Sequence, residues 1–146
     1  AIGAWQAVQA GVRCDPGTGL VVAPASADPQ LLAPSIPPQA IPPDATFMRL
    51  SVQMRPGSPI VPLSTPLSTP LLHTWYWRGE GYDYGEARKR LTPIKMDGAA
   101  HTYWTYIPVR EVGSTLTGLR FDPINAGVEV DIAWIALDVV GGKLGE

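Results

Sequence analysis

Apolar and polar residues alternate along several short stretches of the chain, most regularly over residues 46–55. The apolar positions of this stretch are Met48, Leu50, Val52 and Met54. The polar positions between them are Arg49, Ser51, Gln53 and Arg55. A period of two predicts a strand with one face in the core and the other against water or a ligand. Both uses of the polar face fit, because such side chains hydrogen-bond water and the hydroxyl groups of a ligand alike.

Residues 114–140 hold two apolar segments and predict two central strands. Residues 115–122 and 128–140 are rich in β-branched side chains, and Pro123, Asn125 and Gly127 mark a turn between them. This composition favours a hairpin-like pair of strands over a helix. We expect the pair to lie at the centre of a sheet whose other strands come from the rest of the chain.

Further strand-length segments follow one another along the sequence. The predicted strands cover residues 4–13, 19–23, 46–55, 71–78, 86–94, 102–109, 115–122 and 128–140. The chain also contains 16 prolines and 15 glycines, and no apolar pattern of helical period persists for three turns. Short strands joined by frequent turns are typical of an all-β, two-sheet antiparallel β-sandwich. We therefore predict a single sandwich module of about eight strands over residues 1–146.

Three segments depart from this pattern. Residues 28–44 hold too much proline for an interior strand, so we expect an extended strip that partly forms a sheet edge. Residues 62–70 contain the repeat Leu-Ser-Thr-Pro, which predicts a rigid surface loop or the rim of a binding face. Residues 84–91 favour helix by propensity, but Gly85 and Pro93 make a strand or an irregular turn an equal expectation.

Composition and charge narrow the class of protein. The net charge of −2 supplies no basic field for a nucleic-acid backbone, and Cys14, the only cysteine, excludes an internal disulfide. No apolar run reaches the ~20 residues of a membrane span, so we expect no membrane insertion. Because residues 141–145 resemble a linker, we expect a fragment of a larger multidomain protein or assembly. The expected location is extracellular, on a cell surface or on a virion.

Residues that would mark an enzyme are sparse. The two histidines, His73 and His101, stand outside any nucleophile motif, and no phosphate-binding glycine loop is present. Carboxylates are available for hydrolysis, but no spacing singles out a pair. We therefore predict that the chain is not an enzyme. A hydrolase or lyase that uses Asp97 and His101 is the most evident form of the opposite hypothesis.

Metal ligands are equally sparse. A zinc site needs more imidazole or thiolate than two histidines and one cysteine provide. Oxygen-rich positions at residues 122–125, Asp131 and Asp138 suit a structural calcium ion, although no EF-hand spacing is present. We predict no cofactor and keep a structural calcium ion as an alternative.

Aromatic side chains concentrate in the second half of the chain. They include Trp75, Tyr76, Trp77, Tyr82, Tyr84, Tyr103, Trp104 and Tyr106. Sugars present C–H faces that stack on such rings, and their hydroxyl groups hydrogen-bond to neighbouring polar side chains. The alternative is that the rings fill the core. The predicted ligand-binding residues are Trp75, Trp77, Tyr82, Tyr84, Trp104, Arg49 and Arg78. Most weight falls on Tyr82, Tyr84 and Trp104.

Six separated pieces of the chain resemble one family in the same order. They are Asp28-Pro-Gln-Leu31, Met48-Arg-Leu-Ser-Val-Gln-Met54, Thr74-Trp-Tyr-Trp77, Met96-Asp-Gly-Ala-Ala-His-Thr-Tyr103, Leu119-Arg-Phe-Asp-Pro123 and Val130-Asp-Ile-Ala-Trp-Ile135. With these pieces the chain resembles the galactose-binding-like jelly rolls that are appended to bacterial polysaccharide-active proteins. Similar modules occur in tail-tip and receptor-binding proteins of bacteriophages.

The resemblance implies a non-catalytic β-sandwich that binds its ligand with loops at one end or on a concave face. The expected function is that of a carbohydrate-binding module, and the expected partner is a polysaccharide or cell-surface glycan. The alternative is a structural or receptor-binding domain of a phage-like tail tip or spike. Such a domain acts through contacts with neighbouring domains or subunits.

Overall fold

The computed structural model describes residues 6–8, 10–15, 19–24, 29–33, 39–59, 71–95, 97–125 and 128–141. Within these ranges lie eleven strands and one short helix. They are β1 (Gln6–Val8), β2 (Ala10–Asp15), β3 (Gly19–Pro24), β4 (Gln30–Leu32), β5 (Gln39–Ala40), β6 (Ala45–Pro59), β7 (Leu72–Gly79), β8 (Lys89–Pro93), β9 (His101–Pro108), α1 (Val109–Val112), β10 (Thr115–Asp122) and β11 (Val128–Gly141). The predicted loop at residues 62–70 lies outside the described residues. Of the predicted linker at residues 141–145, Gly141 is the last residue of β11, and residues 142–145 lie outside the described residues.

The strands form two antiparallel sheets. Sheet A has the order β1-β4-β10-β7-β8, with β5 also paired to β10. Sheet B has the order β2-β3-β11-β6-β9. The prediction of an all-β, two-sheet antiparallel sandwich is therefore confirmed. The structure has more strands than predicted, because residues 4–13 contribute to both β1 and β2 and the proline-rich strip contributes the short strands β4 and β5.

The two strands of the apolar stretch 114–140 are central, but they do not pair with each other. Strand β10 pairs with β4, β5 and β7, whereas β11 pairs with β3 and β6. The chain therefore crosses from sheet A to sheet B between β10 and β11. The prediction that these two strands form a hairpin-like unit is wrong. Because both strands are rich in apolar side chains, each is buried better at the centre of its own sheet than beside the other.

The core lies between the sheets and takes its largest side chains from β7 and β10. Trp75 stacks on Phe121 with ring centroids 4.4 Å apart and planes 26° apart. Trp75 and Trp77 are 0% exposed, so they are core residues and not the ligand contacts that the sequence predicted. A fully buried ring cannot stack on a sugar. The inner face of β6 is as predicted, because its four apolar residues Met48, Leu50, Val52 and Met54 are all buried.

A β-bulge in β11 changes which side chains reach the surface. Ile132 pairs with Met54 and Trp134 pairs with Gln53, so Ala133 is an extra residue in the ladder. Ile132 faces the core like Met54. Simple alternation from Ile132 points Trp134 to the core, but the extra residue points it outward beside Gln53.

Residues 84–91 do not form a helix. The backbone turns between Gly85 and Arg88, where the Arg88 amide donates to the Gly85 carbonyl at 3.0 Å, and β8 begins at Lys89. The described chain instead forms a helical turn at α1, which the sequence analysis did not predict. Strand β9 ends at this turn, and the chain passes through it from sheet B to sheet A.

Candidate functional site

The outer face of sheet B carries ordered rows of side chains across β9, β6 and β11. Strand pairing sets Trp104, Ser51 and Ala136 in one row. The row on one side contains Thr102, Gln53 and Trp134, and the row on the other side contains Tyr106, Arg49 and Asp138. The positions on β6 and β9 alternate with buried residues of the same strands, and the positions on β11 follow the bulge. All nine side chains therefore point away from the core.

Three aromatic rings stand exposed on this surface. Trp104 is 55% exposed, and Tyr106 and Trp134 are each 38% exposed. We call Trp104, Tyr106, Trp134, Arg49 and Gln53 together the aromatic face. Exposed tryptophan and tyrosine rings grouped on one surface are typical of interaction sites, because leaving large apolar area in water is unfavourable.

The centre of the aromatic face is lined by small side chains. Ser51 and Ala136 lie beside Trp104 in the middle row, and Trp134 stands on the far strand one row away. Two strand spacings separate Trp104 from Trp134, which is about 10 Å across the sheet. The two indole rings therefore lie on either side of β6, and Ser51 between them is only 4% exposed because its neighbours cover it.

Polar groups beside the exposed rings are held in fixed positions. An Arg49 NH2 group donates to Asp138 Oδ2 at 3.2 Å, and interactions with Tyr106 and Asp138 raise the pKa of Arg49. Gln53 Nε2 donates to Thr102 Oγ1 at 3.5 Å. Cationic and amide groups beside exposed rings supply the hydrogen-bond donors that sugar hydroxyl groups need.

The other predicted ligand residues lie elsewhere in the structure. The Tyr82 hydroxyl donates to the Val112 carbonyl at 2.6 Å, so this ring ties the loop after β7 to α1. Tyr84 lies beneath the Arg78 guanidinium, 5.2 Å from its ring centroid, next to Gly118 of sheet A. The structure thus brings Trp104 and Arg49 together on the aromatic face. It groups Tyr82, Tyr84 and Arg78 near the end of β7, in the other sheet.

Burial explains the pKa shifts of the two loop tyrosines. The pKa values of Tyr82 and Tyr84 are both raised, and in each case loss of hydration on burial is the largest cause. Both rings are half-buried. These two side chains therefore have a structural role in the loop, where they support arginine side chains.

Asp97 and His101 do form a pair. His101 Nε2 lies 2.9 Å and 2.8 Å from the two carboxylate oxygens of Asp97, and the Ala99 amide donates to the same carboxylate at 3.0 Å. These bonds lower the pKa of Asp97, with the Ala99 amide as the largest cause. Within the described residues His101 hydrogen-bonds no hydroxyl or thiol that it could activate. The pair therefore closes the loop before β9 and lacks a nucleophile there.

The oxygens that the sequence offered for calcium are already paired. Asp122 accepts two hydrogen bonds from Arg120, at 2.9 and 2.8 Å, and Asp131 accepts one from Arg55 at 2.6 Å. Asn125 Oδ1 accepts a hydrogen bond from the Leu72 amide. The described ranges hold no group of three or more His, Cys, Asp or Glu side chains arranged for a metal ion. The calcium ion stays a prediction.

Comparison with known proteins finds similarity in structure and not in sequence. No protein-family model matches the chain, and no curated protein matches it significantly. A carbohydrate-binding module of Cellvibrio mixtus lichenase 5A, solved in complex with cellotriose, superposes with a TM-score of 0.58 at 14% identity. The match covers 94% of this chain and 92% of that module. The chain has the β-sandwich fold of a carbohydrate-binding module.

Two further solved structures support the same fold. The C-terminal carbohydrate-binding module of a laminarinase from Zobellia galactanivorans has a TM-score of 0.58 at 10% identity, over 93% of this chain and 94% of that one. Tailspike protein 4 of bacteriophage CBA120 has a TM-score of 0.55 at 9% identity, over 96% of this chain and 20% of the tailspike chain. The fold of this chain therefore resembles carbohydrate-binding modules and a bacteriophage tailspike domain, as expected from the sequence.

Sequence reasoning missed two residues of the aromatic face, Tyr106 and Trp134. Tyr106 alternates with the buried Tyr103, Thr105 and Ile107 along β9, and this period-two pattern was a usable signal. Trp134 gave no such signal, because the bulge at Ala133 decides its direction.

The described part of the chain contains no helix that is long and apolar enough to span a membrane.

Proposed function

We propose that this chain is a non-catalytic glycan-binding module and that the sugar chain lies on the aromatic face. The observation that carries the proposal is the grouping of Trp104, Tyr106 and Trp134 as exposed rings on one sheet surface. Rings of this kind stack on the C–H faces of sugars. The similarity in fold to a module solved with cellotriose supports the choice of ligand class.

The charge arrangement favours an uncharged glycan on this face. Arg49 pairs with Asp138, and Arg55 pairs with Asp131 at 2.6 Å, so each cation on the outer side of β6 has a carboxylate partner. A ligand that carries net charge gains little from paired groups. Hydroxyl groups gain more, because they both donate to carboxylates and accept from guanidinium groups.

The proposed role is to hold a larger extracellular or virion-borne protein on a polysaccharide. In a module of this kind the bound sugar is not cleaved, so the aromatic face needs affinity and no acid–base pair. A second proposal is a receptor-binding domain of a tail spike, which the similarity in fold to the bacteriophage tailspike supports. In that case a protein surface covers the exposed rings.

Isothermal titration of the whole chain with cellotriose and laminaritriose tests the glycan proposal. We expect saturable binding of at least one trisaccharide, weakened about tenfold or more in W104A and in W134A, because aromatic anchors dominate such interfaces. L91A is the matched control. Leu91 is 49% exposed on strand β8 of sheet A, so its loss should leave binding unchanged.

Two results count against the glycan proposal. One is the absence of binding across a broad panel of neutral oligosaccharides. The other is equal weakening by W104A and L91A. Sedimentation velocity then tests the second proposal, because self-association that W104A abolishes, without any glycan binding, points to a protein partner.

A further inference from the structure

A small cleft lies between the loop after β7 and helix α1, outside the aromatic face. It is lined by Ala87, Arg88, Arg110 and Glu111 and has a volume of about 250 Å³. We call it the arginine cleft. Pockets for drug-sized ligands measure roughly 300–1,000 Å³, so a cleft of this size suits one small chemical group or one sugar unit.

Several bonds hold the two walls of the arginine cleft together. The Trp77 indole Nε1 donates to the Glu111 carbonyl at 3.3 Å, and the Tyr82 hydroxyl donates to the Val112 carbonyl. Arg90 bonds the Glu111 carboxylate at 2.5 Å. These bonds join α1 to the loop and to β8, so the cleft is already formed without a ligand.

The positive charges of the cleft lack carboxylate partners. The Arg88 guanidinium lies over the Tyr82 ring, 4.6 Å from its centroid, and its buried Nε has no hydrogen-bond partner among the described residues. Arg110 is exposed and forms no ion pair within the described part of the chain. Glu111 is the one carboxylate of the lining, and Arg90 pairs with it. The cleft therefore offers two guanidinium groups to an incoming anion.

We propose that the arginine cleft is a second binding site, which takes an anionic group carried on a saccharide unit, such as a uronate carboxylate or a sulfate ester. Planar guanidinium groups match the oxygens of these anions and form charge-assisted hydrogen bonds with them. Arg110 lies two residues beyond Pro108, where β9 ends, so the cleft is at the end of the strand that carries Trp104 and Tyr106. The saccharide part of this inference rests on the proposed function, whereas anion binding does not.

The test is an NMR titration of the isotope-labelled whole chain at low ionic strength, which follows the Nε–Hε signals of arginine. The probes are glucuronate, glucose 6-sulfate, glucose and inorganic sulfate. We expect one of the two acidic sugars to shift the Arg88 and Arg110 signals in a saturable way, and glucose to leave them unshifted. R88Q and R110Q should each weaken binding by about tenfold or more.

K95Q is the matched control, because it also removes one positive charge. Lys95 follows the far end of β8, away from the loop that carries Arg88, so K95Q should bind like the original chain. Equal binding by R88Q, R110Q and the original chain overturns the site. Inorganic sulfate bound as tightly as both acidic sugars overturns the saccharide part. Glucose bound as tightly as glucuronate overturns the role of charge.

The two proposals fail in different ways. W104A should lose cellotriose binding and keep the response of the cleft to an acidic sugar. R88Q should lose that response and keep cellotriose binding. A chain that binds the acidic sugar at the cleft but no neutral glycan refutes the aromatic face alone, and the reverse result refutes the cleft alone.

Discussion

The aromatic residues of β7 and those of β9 and β11 belong to the same sandwich but have opposite surroundings. Trp75 and Trp77 are close together in sequence and fully buried, whereas Trp104 and Trp134 are thirty residues apart and exposed on the same face of sheet B, with β6 between them. The two tryptophans of the densest aromatic segment therefore belong to the core. Exposure on a shared surface marks the candidate binding site, and only strand pairing brings those rings together.

The largest expected effect is a difference in stability between variants of the buried and of the exposed tryptophans. W75A removes a buried ring that stacks on Phe121, so we expect a loss of about 3–5 kcal/mol in the free energy of unfolding. W104A should cost about 0.5 kcal/mol or less, as for most surface substitutions. Urea denaturation followed by circular dichroism measures both. If W75A does not fold, W75F should still cost more than W104A, and equal losses contradict the contrast.

A second prediction concerns the core around Trp75 and its dependence on pH. His73 is fully buried against Tyr103 and Phe121, and burial lowers its pKa to about 4. The unfolded chain takes up the proton near pH 6.5, so stability is complete above that pH and decreases as the pH falls towards 4, by about 3 kcal/mol in total.

The variant H73L isolates this contribution. Leucine removes the titrating ring and its buried nitrogens while it keeps an apolar side chain in place. Between pH 6.5 and 4 the stability of H73L should decrease less than that of the original chain, as measured by urea denaturation at a series of pH values. Parallel curves for the two proteins refute the prediction.

A third prediction tests the middle of the aromatic face. Ser51 lies between Trp104 and Ala136 and is 4% exposed, so the larger side chain of S51L should displace the side chains beside it and disturb the surface where a sugar ring is proposed to lie. We expect about tenfold weaker binding of the trisaccharide, measured by titration calorimetry. T74L, on β7 of sheet A, is the control and should bind normally. Unchanged binding by S51L places the ligand elsewhere.

The smallest expected effect is the most specific to the fold. Deletion of Ala133 removes the extra residue of the bulge, and Trp134 then follows Ile132 directly and stays opposite Gln53. Because Trp134 keeps its outward direction, we expect affinity for the trisaccharide to change by less than about threefold, or ~0.6 kcal/mol. Loss of binding in a deletion variant that remains folded shows that Trp134 depends on the local twist of the bulge as well.

Much of the fold follows from local patterns in the sequence. The alternation over residues 46–55 predicted the buried side of β6 correctly, and the apolar stretch at the C-terminal end supplied the central strands of both sheets. Such patterns are readable because side chains on a regular strand alternate between two faces. The proline-rich strip was expected to form part of a sheet edge, but its strand β4 lies inside sheet A, between β1 and β10, and its short strand β5 pairs with β10.

The candidate site was less predictable, and particular residues show why. Trp104 and Arg49 were proposed from the sequence, and pairing of β9 with β6 places them in neighbouring rows of one surface. Tyr82 was also proposed, yet its hydroxyl reaches Val112 of α1, a helix that the sequence analysis did not predict. Trp134 was missed because its direction depends on the bulge.

The sequence by itself determined the class of the fold, since period-two alternation and turn residues act over a few neighbouring positions. It also determined which apolar side of β6 is buried. Tertiary structure alone decided which exposed rings share one surface and in which direction Trp134 points, because these depend on the order of strands in each sheet and on one extra residue in β11. Interactions between residues far apart in the chain determine the order of strands and the position of the bulge, and no local pattern encodes either feature.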